Sequence, residues 1–254
     1  FLGKLGSDWI GERIVADLEA EGVDCSAAIK DPKICSPFNI AAYAGEGRRR
    51  IGGFLLPNSL AQLTDQESER LAAQPHAGDT LLVEVGEIPV STCLRIAEVC
   101  ASNGARVVLD VDLDPIAQCG SIPKEFAALA HLSHLIMPNR EAMTTLYPGL
   151  PSRELTLEMA REFGRSVVVS AGEEGAFLCI DGNDVVHQDA FDAYVVDTVG
   201  AGDAFHGGVL FALSKGATLE KAVELGVHCG ALNCGAAGAR EGMPTAEAVG
   251  FFPK

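Results

Sequence analysis

The sequence predicts an α/β fold, with a mostly parallel sheet flanked by helices on both faces and a small antiparallel β lid. Three observations lead there. From residue 80 onward, short apolar β-rich runs alternate with helix-like segments. Those runs are continuously apolar rather than alternating, as strands covered on both faces must be. Before residue 80, two strand-like segments meet at a polar turn with no helix between them, which reads as an antiparallel flap.

Taken in order, Lys33 to Tyr43 and Arg50 to Leu55 form the flap around Ala44-Gly45-Glu46-Gly47-Arg48-Arg49. Thr80 to Val85 reads as a buried strand, Ser91 to Ser102 as a helix and Arg106 to Asp110 as the next strand, a βαβ unit. A helix over Lys124 to Ala130, a strand over His134 to Met137, helices over Arg140 to Leu146 and Glu154 to Phe163, and a strand over Ser166 to Ser170 continue the alternation. Ala176 to Ile180 and Asp184 to His187 flank Asp181-Gly182-Asn183 as a hairpin at one edge of the sheet. Tyr194 to Val196 reads as a short strand, followed by helices starting at Gly202 and near Leu219. The 254 residues are expected to form one α/β domain, 1–254, with residues 33–56 as a β lid within it.

Composition limits the function classes. Hydrophobic residues at 48% and charged residues at 21% describe a chain able to fold around a core. With 35 acidic against 19 basic residues and a net charge of −16, the chain's field repels polyphosphate, so nucleic acid is not expected as a partner. Nucleotide phosphates would have to be held locally, by backbone N–H groups, a helix N-terminus or a metal ion. The eight cysteines form no CxxC pair and mostly lie in apolar stretches, which points to free thiols and a cytoplasmic location. No apolar run approaches the ~20 residues of a transmembrane helix.

Chemistry concentrates at Gly200-Ala201-Gly202-Asp203, between the Tyr194 to Val196 segment and an apolar helix. Glycine permits positive φ and close backbone approach, and a helix N-terminus offers unpaired N–H groups with a favourable dipole. Phosphoryl transfer needs such donors, together with a carboxylate to take the acceptor hydroxyl's proton, and Asp203 stands where that carboxylate belongs. An isolated glycine turn with Asp203 favouring the helix dipole fits the same residues.

The segment Asp197-Thr198-Val199-Gly200-Ala201-Gly202-Asp203-Ala204-Phe205 resembles the C-terminal motif of the ribokinase-like (PfkB) carbohydrate kinases. Phe1 to Gly11 with Leu18 to Asp24, Val167 to Ala176, Gly238-Ala239 and Met243-Pro244 resemble further stretches of that family, so the likeness covers essentially the whole chain. It implies Asp203 as catalytic base and the backbone of Gly200, Ala201 and Gly202 as the anion hole. It further implies ATP lined by Ser170, Gly172 and Gly175, with Asn233 and its helix near the adenine. Asp197 and Val199 match positions that hold a monovalent cation such as K+, completed by the backbones of Asn233, Ala236 and Gly238, while Gly242 stands where a side-chain oxygen often contributes.

Departures from the family pattern accompany the match. The metal-organising segment is represented by Asn139-Arg140-Glu141-Ala142, whose carboxylate, Glu141, sits one position early; on a helix start that rotates it by about 100°. Asn139 and Glu141 remain the residues expected beside the nucleotide and its Mg2+. Asp110-Val111-Asp112-Leu113-Asp114 is wholly acidic where relatives mix Asp, Asn and Arg, which disfavours an acidic sugar acid as substrate. His206, one helical turn past Asp203, is expected to be packed or hydrogen-bonded, and Arg48, Arg49 and Arg50 are expected to form a solvated turn, the alternative being contact with substrate or phosphate on closure of the flap. The resemblance also implies roughly forty residues ahead of Phe1, a strand, a turn and a helix at ordinary lengths, carrying a sugar-binding Asp and a Gly-Gly turn.

The expected activity is therefore ATP-dependent phosphorylation of a hydroxymethyl group on a small fructose- or ribose-like sugar, with a nucleoside kinase or a nucleotide-binding relative of weakened catalysis as alternatives. A homodimer joined through the β lid would remove its exposed edges.

Overall fold

The structure, a computed structural model, describes residues 1–44, 49–56, 63–86, 88–117, 120, 123–180 and 182–250, without the side chains of 39–44 and 49–56. Expectations placed on Arg48, and on the side chains of Arg49 and Arg50, lie outside the described residues. Two compact units are present, residues 1–108 with 115–133 and residues 109–114 with 134–254.

In the first unit, β1 (Lys4–Gly6) and β2 (Ile29–Asp31) pair in parallel around α1 (Trp9–Ala20). Asp8 caps α1, its two oxygens accepting from Gly11 N at 2.8 Å and Ser36 N at 2.7 Å. Lys4 has a side chain only 7% exposed, and it bridges Asp31 at 3.1 Å and Glu67 at 3.0 Å. Burial by itself would lower the Lys4 ammonium, but hydrogen bonds and charge from Glu67 and Asp31 outweigh it and raise it above its ordinary value.

β3 (Phe38–Ala44) and β4 (Arg49–Leu56) form the antiparallel pair expected of the flap, with a register irregularity at Ala42/Tyr43. The first strand starts at Phe38 rather than Lys33, since Cys35 to Pro37 is irregular and Pro37 has no N–H to give a ladder. A helix that the sequence reading did not predict, α2 (Asp65–Ala72), opens on a capping box between Thr64 and Glu67.

Strands β5 (Thr80–Val85), β6 (Arg106–Val111), β7 (Leu135–Pro138), β8 (Ser166–Ser170), β9 (Ala176–Cys179) and β10 (Val185–Gln188) form one mostly parallel sheet in the order β10-β9-β8-β7-β6-β5. β7 and β8 run parallel, while β8–β9 and β9–β10 are antiparallel and make the edge hairpin. Leu109, Ile136, Met137, Val167, Val168 and Val169 are fully buried, which is why these strands read as unbroken apolar runs. The crossover helices are α3 (Val90–Ser102), α4 (Pro123–Leu132) and α5 (Ser152–Phe163). α5 stops where Gly164 takes the left-handed conformation, and its inner face buries Leu155, Met159 and Phe163.

Two expected elements are corrected. Arg140 to Leu146 is not an α-helix but a single 3₁₀ turn, Glu141–Met143, followed by irregular turns. Asn139 Oδ1 caps that turn by accepting from Ala142 N at 2.7 Å, and Asp114 Oδ2 takes the Thr145 N–H at 3.0 Å, diverting a donor that an α-helix would need. Tyr194 to Val196 belongs to no sheet: Val196 N and Asp197 N both donate to Cys234 O, and Tyr194 and Val195 stand exposed. β-propensity there had no strand to pair with.

α6 (Ala201–Ser214) and α7 (Leu219–Asn233) pack closely, because Gly208 and Gly226 leave no side chain between them; a Cβ on Gly208 would lie 3.0 Å from Gly226 Cα. Among the described residues, no helix is long and apolar enough to cross a membrane.

Candidate active site

The site residues belong to the second unit. Gly200 is the N-cap of α6, with φ 81° and ψ −2°, and a Cβ at that position would meet Ala239 O at 2.3 Å. Both the left-handed backbone and the close approach therefore require glycine. As N-cap, Gly200 has no side chain to hydrogen-bond this helix N-terminus, and a Cβ on Gly202 would meet nothing within 4 Å. The turn thus presents an open helix end with its partial positive charge, an arrangement suited to an anion. Asp203 stands in the first turn of α6 and is exposed.

The loop feeding that turn is bracketed from below. Asp197 Oδ1 accepts from Val199 N at 3.1 Å, and Asp197 Oδ2 accepts from Gly238 N at 3.0 Å, which ties residues 197–199 to the segment carrying Ala239. Asn233, fully buried at the end of α7, donates from Nδ2 to Val199 O at 2.9 Å. The Asn233 side chain is thus buried beneath the turn and supports it. Gly242 is required against the same residue, since a Cβ there would lie 2.3 Å from Asn233 O.

The acidic strand terminus divides by environment. Asp110 is buried and its Oδ2 lies 2.9 Å from His206 Nδ1, both side chains being about one-tenth exposed. Asp114 is buried and accepts from Thr145 N. Asp112 is solvent-accessible, yet its carboxyl is raised above the ordinary range. Desolvation by the surrounding protein is the main cause, followed by the charges of Asp110 and Asp203, and a hydrogen bond from Asn139 partly opposes the rise. Asn139 Nδ2 donates to Asp112 O at 2.9 Å and Oδ1 at 3.1 Å. Asp112, Asp203, Asp110 and His206 therefore share one electrostatic environment.

A second turn lies at the end of β8. Asn139 and Ser170 form a parallel bridge, and Arg140 N donates to Ser170 O at 3.0 Å. Gly172 opens a 3₁₀ turn that ends at Gly175, where φ is 86° and ψ −128° and a Cβ would lie 2.1 Å from Gln188 O. A Cβ on Gly172 meets nothing within 4 Å, so one side of this turn is open. Arg140 is ion-paired to Glu174 and, at 3.2 Å, to Glu141, so the early carboxylate is engaged at the surface beside Arg140. His187, stacked on Phe177 with ring centroids 4.3 Å apart, places Nε2 2.6 Å from Glu174 O.

Sequence reasoning did not single out Arg140, Glu174 or His187 as supports of this turn. Their spacings of 34 and 13 residues leave no local pattern, and only the hairpin register of His187 against Phe177 gave a sequence-level hint. Among the described residues, no group of three or more His, Cys, Asp or Glu could hold a metal ion.

A glycine-opened helix end beside an exposed carboxylate, carried on a mostly parallel sheet, defines the class as phosphotransferase-like. The chain belongs to the pfkB family of carbohydrate kinases, whose model matches residues 1–246. It is 26% identical over 247 residues to the ribokinase of Lactococcus lactis subsp. lactis, covering 96% of this chain and 75% of that protein. The structure of aminoimidazole riboside kinase from Salmonella enterica, complexed with aminoimidazole riboside and an ATP analog, superposes with a TM-score of 0.80 at 24% identity, covering 98% of this chain and 84% of that one. The fructokinase of Vibrio cholerae, bound to fructose, ADP and calcium, superposes with a TM-score of 0.77 at 23% identity, covering 100% of this chain and 85% of that one.

Proposed function

We propose that this protein transfers the γ-phosphoryl group of ATP to a hydroxymethyl group of a small fructose- or ribose-like sugar. The observation that carries the reading is Asp203 standing exposed in the first turn of α6, directly after a left-handed Gly200 braced by Ala239. The acceptor oxygen forms the new P–O bond, the bond to ADP breaks, and Asp203 takes the hydroxyl proton. The N–H groups at the start of α6, around Gly200, Ala201 and Gly202, face the charge on the transferring group. Ser170, Gly172 and Gly175 line the nucleotide, and the Asn139–Asp112 pair stands on the side of its phosphates. Bound Mg2+ would neutralise the β- and γ-phosphate oxygens. Asp197, whose two oxygens bracket the loop beside the anion turn, is read with Val199 as a K+ site.

The ribokinase relative favours a neutral sugar acceptor, and the acidic run Asp110, Asp112 and Asp114 favours it over a sugar acid for electrostatic reasons. The test is ADP release by the full-length protein with D-ribose, D-fructose, 2-keto-3-deoxygluconate and nucleosides as acceptors, in Mg2+ with K+ or Na+. Asp203→Asn is expected to keep nucleotide affinity and to lose turnover by roughly 10²–10⁴-fold, the ordinary contribution of a general base. Turnover retained by that variant overturns the assignment.

A further inference from the structure

We propose that His206 is a positioning residue for Asp203, acting through its buried hydrogen bond to Asp110; this rests on the reading of Asp203 as the base. His206 lies on α6 one turn beyond Asp203, a spacing that places the two on one face of the helix. Its Nδ1 is 2.9 Å from Asp110 Oδ2 at the end of β6, and both side chains are about nine-tenths buried. The Phe205 ring meets the imidazole edge-on at 5.3 Å. The pair therefore ties the first turns of α6 to the strand terminus that carries Asp112.

The pair is poorly built for stability. His206 Nε2 and Asp110 Oδ1 are buried and have no hydrogen-bond partner among the described residues. Apolar side chains of similar volume would be about as stable there, because each orphan polar atom is stripped of water without recompense. Its geometric effect is specific. Asp197 and Asn233 hold the loop ahead of α6, and the close approach of Gly208 to Gly226 seats the body of the helix on α7. The Asp110–His206 bond adds a tether from the first turns of α6, where Asp203 stands, to the end of β6, and so sets the direction in which Asp203 points. Asp112, at the strand terminus, interacts electrostatically with Asp110, His206 and Asp203.

The test compares His206→Phe, which fills the space and removes the N–H, with His206→Asn, whose side-chain N–H falls near the Nδ1 position. Steady-state kinetics use ATP and whichever of D-ribose, D-fructose or aminoimidazole riboside turns over fastest. For His206→Phe, kcat is expected to fall about 10- to 100-fold, as a misaimed catalytic group does, while KM for ATP stays within about twofold and Tm within a few degrees. His206→Asn is expected to recover kcat to within about threefold of the parent. Asp110→Ala should reproduce the phenylalanine variant, and the double variant should lose no more than either single one, because both remove the same bond. If His206→Phe folds poorly, Asp110→Ala carries the comparison, scored per folded molecule by nucleotide titration. An unchanged kcat in either variant, or no recovery with asparagine, overturns the proposal. If Asp203→Asn is inactive while His206→Phe is fully active, this inference alone fails; if Asp203→Asn remains active, the reading of the base fails and takes this inference with it.

Discussion

Replacing Gly200 with alanine puts a methyl group 2.3 Å from Ala239 O, 2.8 Å from its Cα and 3.0 Å from its carbonyl carbon. The neighbour is backbone and cannot rotate away, so the loop must shift by about an ångström or the helix start must. At φ 81° an L-residue also carries a left-handed penalty of roughly 1–2 kcal/mol. Overpacking of this kind costs about 1–3 kcal/mol, and the stiffer unfolded chain returns about 0.4–1 kcal/mol. The net loss is about 1–5 kcal/mol, read as a Tm lower by roughly 2–20 °C for a chain of this size. Function should suffer more than stability. Ala239 adjoins Gly238, whose N–H holds Asp197, so the displacement reaches the bracket that shapes the anion turn. Misplacing such donors costs about 10²–10³-fold in turnover.

Gly202→Ala is the matched control for that argument. Its Cβ meets nothing within 4 Å, and alanine favours the helix, so Tm should hold or rise. Its turnover should still fall, because the open space is where the transferring group is read to sit. Thermal unfolding and coupled ADP release on both variants decide the matter. Gly200→Ala with the parent's Tm and turnover would refute the reasoning.

Three further outcomes are expected. Gly175→Ala, whose Cβ would lie 2.1 Å from Gln188 O and 2.6 Å from Ala190 N, should raise KM for ATP about tenfold or more with little change in KM for the sugar; initial-rate kinetics at varied ATP check this. Asp112 has a folded-state value above its unfolded one, so its ionised form is disfavoured in the folded state, a penalty present above the raised value and lost as pH falls through it. Asp112→Asn should thus stabilise the protein at pH 8 by less than about 1 kcal/mol, solvent screening keeping the effect small, and by nothing near pH 3, as urea titrations at the two values would show. Lys4→Met strands Asp31 and Glu67, whose side chains are 23% and 22% exposed, and should cost about 1–3 kcal/mol rather than the full penalty of a buried pair. Asp31 is held low chiefly by the Lys33 N–H and then by Lys4, while for Glu67 desolvation is the largest single contribution but is outweighed by the hydrogen bonds and charge of Thr64 and Lys4 together, which lower it. The stability these carboxylates supply is present above their ordinary range and lost on acidification, so the gap between parent and variant should close below about pH 4.

The elements that sequence reading captured are those whose cause is local. Ser166 to Ser170 is a fully covered strand, and its valines say so without help from distant residues. Gly200 to Asp203 combines a residue type that alone tolerates φ 81° with an acid in the first helical turn, and both signals lie within four positions. Arg140 to Leu146 was misread because the apolar spacing of Ala142, Met143 and Leu146 suits a helix. What stops it is a pair of side chains: Asn139 caps the turn, and Asp114, 31 residues upstream, takes the Thr145 N–H. Tyr194 to Val196 has strand-forming residues but no neighbouring strand, a fact that no local window contains.

By itself, then, the sequence determined the α/β class, the glycine turn and the carboxylate beside it, because backbone freedom, burial periodicity and helix polarity act over a few residues. Tertiary structure alone decided that Ala239 forces glycine at 200, that Asn233 is buried beneath the turn and bonded to Val199, and that Asp110 meets His206. Those contacts join positions 34 to 96 residues apart, and their distances are fixed by how the helices and strands pack, which no local pattern encodes.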